Sequence, residues 1–286
     1  MFRFNFSRFI YKVTKLSLLL GILYIYASTS KIGSFNYTNL ETLGEHDINS
    51  VNLVIAHPDD EVMFFAPSLI NLNEQIRDPS TVFNIICFSN GGADGLGNVR
   101  EQELSDSIAM LLPTRNTSIV VLDFKDGMKE KWDVKEMIAK LRNIVPKLGH
   151  NVLLTFDGKG VSGHLNHIAC YRAALGYYNE FKSKQKLTVL SLQSYSKNIV
   201  KKYSSYIWEL IKLLYSSWVP SRLGNVLPKR GSNVARKITI FSTYPQYVLS
   251  LAAMLNAHKT QVVWFRYGWW FFSRLVFVND LDVISS

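Results

Sequence analysis

The chain has 286 residues, 48% of them apolar, and a formal net charge of +10. That length fits one large domain or two small ones with a sizeable core, and the apolar share excludes wholesale disorder. The two cysteines, Cys87 and Cys170, each sit in an apolar stretch without CxxC spacing, which argues against a disulfide scaffold or a thiolate zinc site and for buried thiols.

Residues 1–31 open with Arg3, Arg8, Lys12 and Lys15, run through a largely apolar stretch over 16–27 and close on Ser28-Thr29-Ser30-Lys31. The apolar stretch is short against the ~20 residues a span takes. Counting from Phe9 and letting Lys12 and Lys15 snorkel makes it long enough. The expectation is an uncleaved membrane anchor; a cleaved signal peptide shares the same layout. A polar linker is expected over 32–48 and a soluble domain over 49–286.

Within that domain, apolar runs at 51–56, 82–88, 118–123, 151–156, 187–193 and 237–242 predict strands. Helical periodicity at 62–75, 98–112, 133–146, 165–182 and 245–257 predicts helices. The alternation predicts an α/β fold, Rossmann-like, with a mostly parallel sheet and helices on both faces. A basic stretch at about 196–235 interrupts the rhythm and reads as an insertion. Residues 197 to 237 hold nine Lys or Arg against a single acid, Glu209. No zinc finger, RNP pattern or basic zipper accompanies this charge, so a membrane face is the expected partner and nucleic acid is not. Val200, Tyr203, Ile207, Ile211, Leu214 and Trp218 recur at helical spacing, which fits a helix on a membrane surface or one covering the core. Trp264-Phe265 and Trp269-Trp270-Phe271-Phe272 suit an interface or a core equally.

Three predicted strands end in loops that carry Gly, His or acids, at 57–61, 89–97 and 157–164. In a right-handed parallel sheet these loops converge on one edge, where ligands bind. The first holds His57-Pro58-Asp59-Asp60, one imidazole and two carboxylates in four residues. The third leads into His164 and His167, which share a helical face. Mixed His and carboxylate sets hold catalytic zinc, which polarises a carbonyl and acidifies water. Each motif has a plainer reading: HxxH as two half-buried imidazoles, HPDD as a solvated turn with Pro58 setting φ. Together, each after a strand, they favour a metal site. The Gly-rich turn Asn90-Gly91-Gly92-Ala93-Asp94-Gly95-Leu96-Gly97 lacks the GK[ST] of a P-loop and is not GxGxxG, so no nucleotide cofactor is expected. Arg100 just after it could meet a substrate phosphate bidentately or only brace the loop.

In order, Ala56-His57-Pro58-Asp59-Asp60-Glu61, Ser89 through Gly97 with Arg100 and Glu103, Thr155-Phe156-Asp157 through Gly160 to His167, and His258 through Gln261 to Trp264-Phe265-Arg266 resemble the PIG-L type N-acetylglucosaminylphosphatidylinositol de-N-acetylases. These belong to the wider LmbE-like deacetylases. The resemblance covers about residues 50 to 266, with Thr260 where Ser is expected. It implies a divalent metal, zinc by family, and removal of acetate from N-acetylglucosaminyl-phosphatidylinositol, the second step of GPI-anchor synthesis at the endoplasmic reticulum. Position by position it implies His57, Asp60 and His167 as metal ligands, Asp59 as general base and His164, protonated, as oxyanion stabiliser. Asn90, Arg100, His258 and Arg266 are the implied substrate contacts. The other readings are a deacetylase of a soluble N-acetylglucosaminyl conjugate and a non-catalytic, membrane-tethered glycolipid binder. The family implies a single-pass protein with its catalytic domain in the cytosol. The charge bias around the apolar run, four cations before it and Lys31 after, predicts the lumen. The sequons at Asn36 and Asn116 offer a test of sidedness.

Overall fold

The computed structural model describes residues 6–41, 43, 48–195, 199–216 and 236–286. The chain runs α1 (Phe6–Ala27), a π-helical turn (Ser28–Ile32), α2 (Gly33–Glu41), β1 (Ile48–Ile55), α3 (Ala66–Gln75), β2 (Val82–Cys87), α4 (Gly97–Leu111), β3 (Thr117–Val121) and α5 (Val134–Ile144). It continues with β4 (His150–Phe156), a single turn α6 (Gly160–Gly163), α7 (Leu165–Phe181), β5 (Lys186–Leu192), α8 (Ile199–Ser216), β6 (Arg236–Phe241), α9 (Tyr244–Asn256), α10 (Trp264–Phe272) and β7 (Val278–Ser285).

Seven strands form one sheet in the order β3-β2-β1-β4-β5-β7-β6. The first five are parallel, and β7 runs antiparallel to both β5 and β6. The fold class is therefore the expected one: α5 and α7 cover one face, while α2, α3, α4 and α9 pack on the other. A central parallel strand is buried on both faces and so reads as a continuous apolar run. β1 obeys this, and burial extends without a break from residue 50 to residue 72. Its two buried polar members, Ser50 and Asn52, are hydrogen-bonded. Ser50 donates to Asn151 Oδ1 at 2.6 Å, Asn52 to Ser50 Oγ at 2.8 Å, and Asn84 to Asn52 Oδ1 at 2.8 Å. Successive strands leave β1 in opposite directions, to β2 on one side and β4 on the other. The loops after β1 and β4 thus flank a topological switch point, the place where such sheets open a crevice.

Two elements depart from the sequence reading. The polar linker expected over residues 32–48 is helical in its first part, because the helix begun at Phe6 continues through the π turn into α2. The polar residues of α2 pair with the domain. Asn36, fully buried, donates to Asn71 Oδ1 at 2.8 Å and to Phe241 O at 2.7 Å, and accepts from Phe241 N at 2.9 Å. Of the two sequons only Asn116 is exposed. The other departure is β7, unpredicted because Asp280 and Asp282 break the apolar pattern. Asp280 is held by Arg274 Nη2 at 2.7 Å, by Thr239 Oγ1 at 2.6 Å and by Tyr195. Arg274 is 1% exposed and also reaches Glu209 of α8 at 3.4 Å.

On α8 the predicted apolar stripe meets the core only in part, with Leu214 packed against it. Leu210 and Leu213 are buried, whereas Tyr203 and Ile211 are exposed. Trp218 and the side chains of Val200 and Lys201 lie outside the described residues, as does most of the basic stretch.

Removing one member of a buried ion pair leaves an uncompensated charge, at a cost of about 3–5 kcal/mol. Arg274→Met should therefore lower stability by about that amount, read as a denaturation midpoint in detergent. A midpoint equal to wild type would show that Asp280 does not depend on Arg274.

Candidate active site

The site is built outward from the end of β1. The Asp60 carboxylate folds back on its own chain, accepting from Ala56 N at 3.0 Å and His57 N at 2.9 Å through Oδ2. Its Oδ1 lies 3.3 Å from His167 Nε2 on α7. Burial alone would raise the Asp60 pKa, but the His167 and His57 rings and the His57 amide hold it well below the usual carboxylate range. The tight turn this makes leaves Asp59 at φ +117°, a conformation side chains rarely adopt, and such backbone strain collects at functional sites.

The opposing wall is the loop after β4. Asp157 accepts from Lys159 N and Gly160 N at 3.0 Å and from Ser194 Oγ at 2.6 Å. The loop passes through left-handed Gly160, φ +58°, where a Cβ would stand 2.9 Å from Ile168 Cγ1, so glycine is required. It delivers His164 to the N-cap of α7. His167 stacks on Phe156 with centroids 4.0 Å apart and rings within 2°. Its Nδ1 lies 3.2 Å from Gly160 O. A carbonyl can only accept, so Nδ1 carries a proton and Nε2 is turned to Asp60.

His57, Asp60 and His167 thus come together, with ligand atoms within 4.8 Å of one another, all buried. A second trio, His57, Asp126 and His164, meets the same criterion. Asp126 was not foreseen. It lies 3.0 Å from His57 Nε2, in the loop after β3. That loop also ends at the ligand-binding edge, but it carries no motif. Three carboxylates and three imidazoles converge on a pocket of about 220 Å³, with Arg100 and Arg266 at its wall. Lone pairs facing one another in a buried setting repel unless a proton or a cation lies between them, and two imidazoles with a carboxylate are a donor set suited to zinc.

Asp59 faces this cluster from the side. Burial raises its pKa and the Asp60 charge adds to that, against the pull of Arg266. Arg266 Nη2 donates to Asp59 Oδ2 at 2.7 Å. A buried carboxylate poised upward and held by a single arginine is suited to take up a proton.

The remaining predicted contacts are placed differently. His258 is fully buried, and its Nε2 sits 2.5 Å from Glu61 Oε1. Glu61 also accepts from Ser107 Oγ at 2.6 Å and from Asp59 N at 3.0 Å. His258 therefore braces the HPDD turn from behind and is out of a substrate's reach. Asn90 is half-buried, with its amide folded over Gly92 and Gly97 of its own loop. Arg100 lines the pocket, yet it donates to Gly91 O at 2.8 Å, Pro58 O at 3.1 Å and Gln261 Oε1 at 2.6 Å. Bracing, the second of its two sequence readings, is what the geometry favours. Thr260 donates through N and Oγ1 to Glu103, both at 2.7 Å, so its hydroxyl makes a bond that serine could also make.

His164 also differs from expectation. Burial, then the neighbouring His167 and His57 rings, lower its pKa to about 4. Its Nδ1 accepts from Asn166 N at 3.3 Å. The ring is thus neutral near pH 7 with its proton on Nε2.

A family model described as "PIG-L: GlcNAc-PI de-N-acetylase" matches residues 52–178. The N-acetylglucosaminyl-phosphatidylinositol de-N-acetylase of Saccharomyces cerevisiae is 47% identical, covering 98% of this chain and 97% of its own length. The chain belongs to the PIG-L family. The bovine protein of the same name is 30% identical over 93% of this chain and 94% of its own, and a probable one from Schizosaccharomyces pombe is 36% identical over 82% and 86%. The PIG-L match spans β1 through α7, the segment that supplies every member of both trios.

In chelator-treated protein the His164 ring should titrate near pH 4 and stay neutral from about pH 5 upward, as followed by NMR of its ring carbons. A midpoint at or above the ordinary histidine value would restore an imidazolium to the site.

Proposed function

We propose that this PIG-L protein removes the N-acetyl group from N-acetylglucosaminyl-phosphatidylinositol, the second step of GPI-anchor synthesis, with a divalent metal, zinc by donor chemistry. The observation that carries this reading is Asp59. It is a proton acceptor with a raised pKa, set beside the His57, Asp60 and His167 cluster and held by Arg266. A glycolipid binder would have no use for it. The full-length likeness to de-N-acetylases supports the substrate class.

His57, Asp60 and His167 would hold the metal, and Asp126 is available as a further oxygen donor on the His164 side. When bound, the ion polarises the amide carbonyl and makes water more acidic. The chain's own groups do the rest. Asp59 accepts a proton from the attacking water as its oxygen bonds to the carbonyl carbon. His164 Nε2 donates a hydrogen bond to the developing oxyanion, and it does so as a neutral imidazole N–H. As the C–N bond breaks, Asp59 passes its proton to the nitrogen, and acetate and a free amine leave. Arg266 keeps Asp59 aimed and limits the rise of its pKa.

The helix Ser7–Glu41 is long and apolar enough to cross a membrane. We place the part of it ahead of the residues docked on the domain as a single span in the endoplasmic reticulum membrane, with the catalytic domain in the cytosol where a nascent glycolipid is made.

Asp59→Asn should retain bound metal yet lose about 10²–10⁴-fold in acetate release. Metal analysis and an acetate assay on one preparation test this, and turnover at the wild-type rate would remove Asp59 from the mechanism. Chelation should abolish acetate release and Zn2+ restore it; turnover that persists in metal-free protein would sink the metal assignment. Asn116 should stay unglycosylated in cells. A mobility shift removed by glycosidase and lost in Asn116→Gln would place the domain in the lumen. Asn36 reports nothing, because its amide is locked inside the fold.

A further inference from the structure

A second cavity adjoins the catalytic pocket, and nothing in the proposed chemistry uses it. Its volume is about 830 Å³ against about 220 Å³ for the polar pocket, and the two share Met63, Phe64 and Arg266 in their walls. Beyond that junction the wall is dominated by Phe265, Trp269 and Phe272 of α10, with Tyr203 of α8 and Met128 opposite. Among the described residues two cations line it, Lys202 and Arg266, and no acid does.

The size lies within the range of ligand pockets, but the lining is wrong for a sugar. Apolar walls reward a partner in proportion to the apolar area they bury, and a polyhydroxylated ring offers little. An alkyl chain attached to an anionic group matches both the aromatic wall and the Lys202 ammonium, Arg266 being already paired with Asp59. The surroundings point the same way. α8 packs against both α10 and α1, so the cavity wall adjoins the segment apolar enough to span a bilayer. On the outer surface of α10, Trp264 is 84% and Phe271 65% exposed, aromatic residues of the kind that settle at membrane–water interfaces.

We infer that this cavity receives the acyl chains of the glycolipid substrate while its N-acetylglucosamine occupies the catalytic pocket. The inference rests on the deacetylase reading and extends it to a lipid subsite. Substrate selection then comes from both ends of one molecule, and remote apolar binding energy helps to hold the amide over Asp59.

Gly268 provides the test. It lines the cavity from α10, and a Cβ there would meet no atom within 4 Å, so a side chain can start from this position into open space. The measurements use full-length protein in detergent and substrates kept below their critical micelle concentrations. In the wild type, kcat/KM relative to water-soluble N-acetylglucosaminyl-inositol phosphate should climb at least tenfold from the dibutanoyl to the dioctanoyl glycolipid. In Gly268→Leu the dioctanoyl-to-soluble ratio should fall at least tenfold. A wild type that hydrolyses the soluble head group but ignores chain length overturns the subsite and leaves the deacetylase reading standing. A folded Gly268→Leu protein with an unchanged ratio does the same. A wild type that releases acetate from no substrate overturns both. The chain-length series needs no variant, so a Gly268→Leu protein that fails to fold leaves the test intact.

Discussion

The Asp60 carboxylate is the constraint on which the site depends. A carboxylate removed from water costs several kcal/mol unless its lone pairs are satisfied. Here one oxygen is held by two backbone amides at the end of β1 and the other faces an imidazole on α7. This joins the two sides of the switch point through a single side chain. It also dictates the turn. With Asp60 folded back, the chain can only pass through Asp59 in a strained left-handed conformation, which sets that carboxylate beside the cluster and not within it. The division between a ligand-like aspartate and a base-like one, adjacent in sequence, follows from backbone geometry.

A second buried carboxylate supports the first from behind. Glu61 gathers Asp59 N, Ser107 of α4 and His258. One turn along α4 from Ser107, Glu103 takes the backbone and hydroxyl of Thr260, and Arg100 clasps Gly91, Pro58 and Gln261. Residues far apart in the chain therefore form one polar frame around the HPDD turn. Such a frame resists the local relaxation that would otherwise release the Asp59 strain, and catalytic geometry is worth little unless held to a fraction of an ångström.

This frame also explains what could be read in the sequence and what could not. The six predicted strands were legible because the sheet interior needs unbroken apolar runs, and HPDD and HxxH were legible because their ligand types are dense. β7 was hidden by Asp280 and Asp282, whose compensation by Arg274 is a tertiary fact. α2 was hidden because Asn36 is polar in sequence and buried in space. His258 shows the limit of a motif: order along the chain marks it as belonging to the site, but only packing tells whether an imidazole faces the pocket or its scaffold. Asp126 fails the opposite way. Topology brings the loop after β3 to the same edge, but the sequence reading named only the loops that carry motifs, and this one has none. The charge of His164 depends on its burial and then on two other imidazoles coming near it, which no spacing rule contains.

The N-terminal segment carries the same logic to the scale of the whole molecule. An anchor on slack chain raises the local concentration of a domain near a bilayer but leaves its orientation free. Here the end of α1 is docked. Ala27 and Ile32 are fully buried, Tyr24 donates to Ser242 O at 2.8 Å, and Ser28 Oγ accepts from Tyr244 N at 2.7 Å. Together with Asn36 of α2, which pairs with Phe241 of β6, these contacts fasten the apolar helix to the edge of the sheet, so under the proposed membrane placement the domain has one face to present. That face includes α8 and α10, and with them the mouth that joins the apolar cavity to the catalytic pocket. A bilayer-resident substrate has its head group at a fixed depth. Its enzyme gains more from holding the site at that height than from tighter contacts, because orientation settled by the fold is entropy that need not be lost again at each turnover.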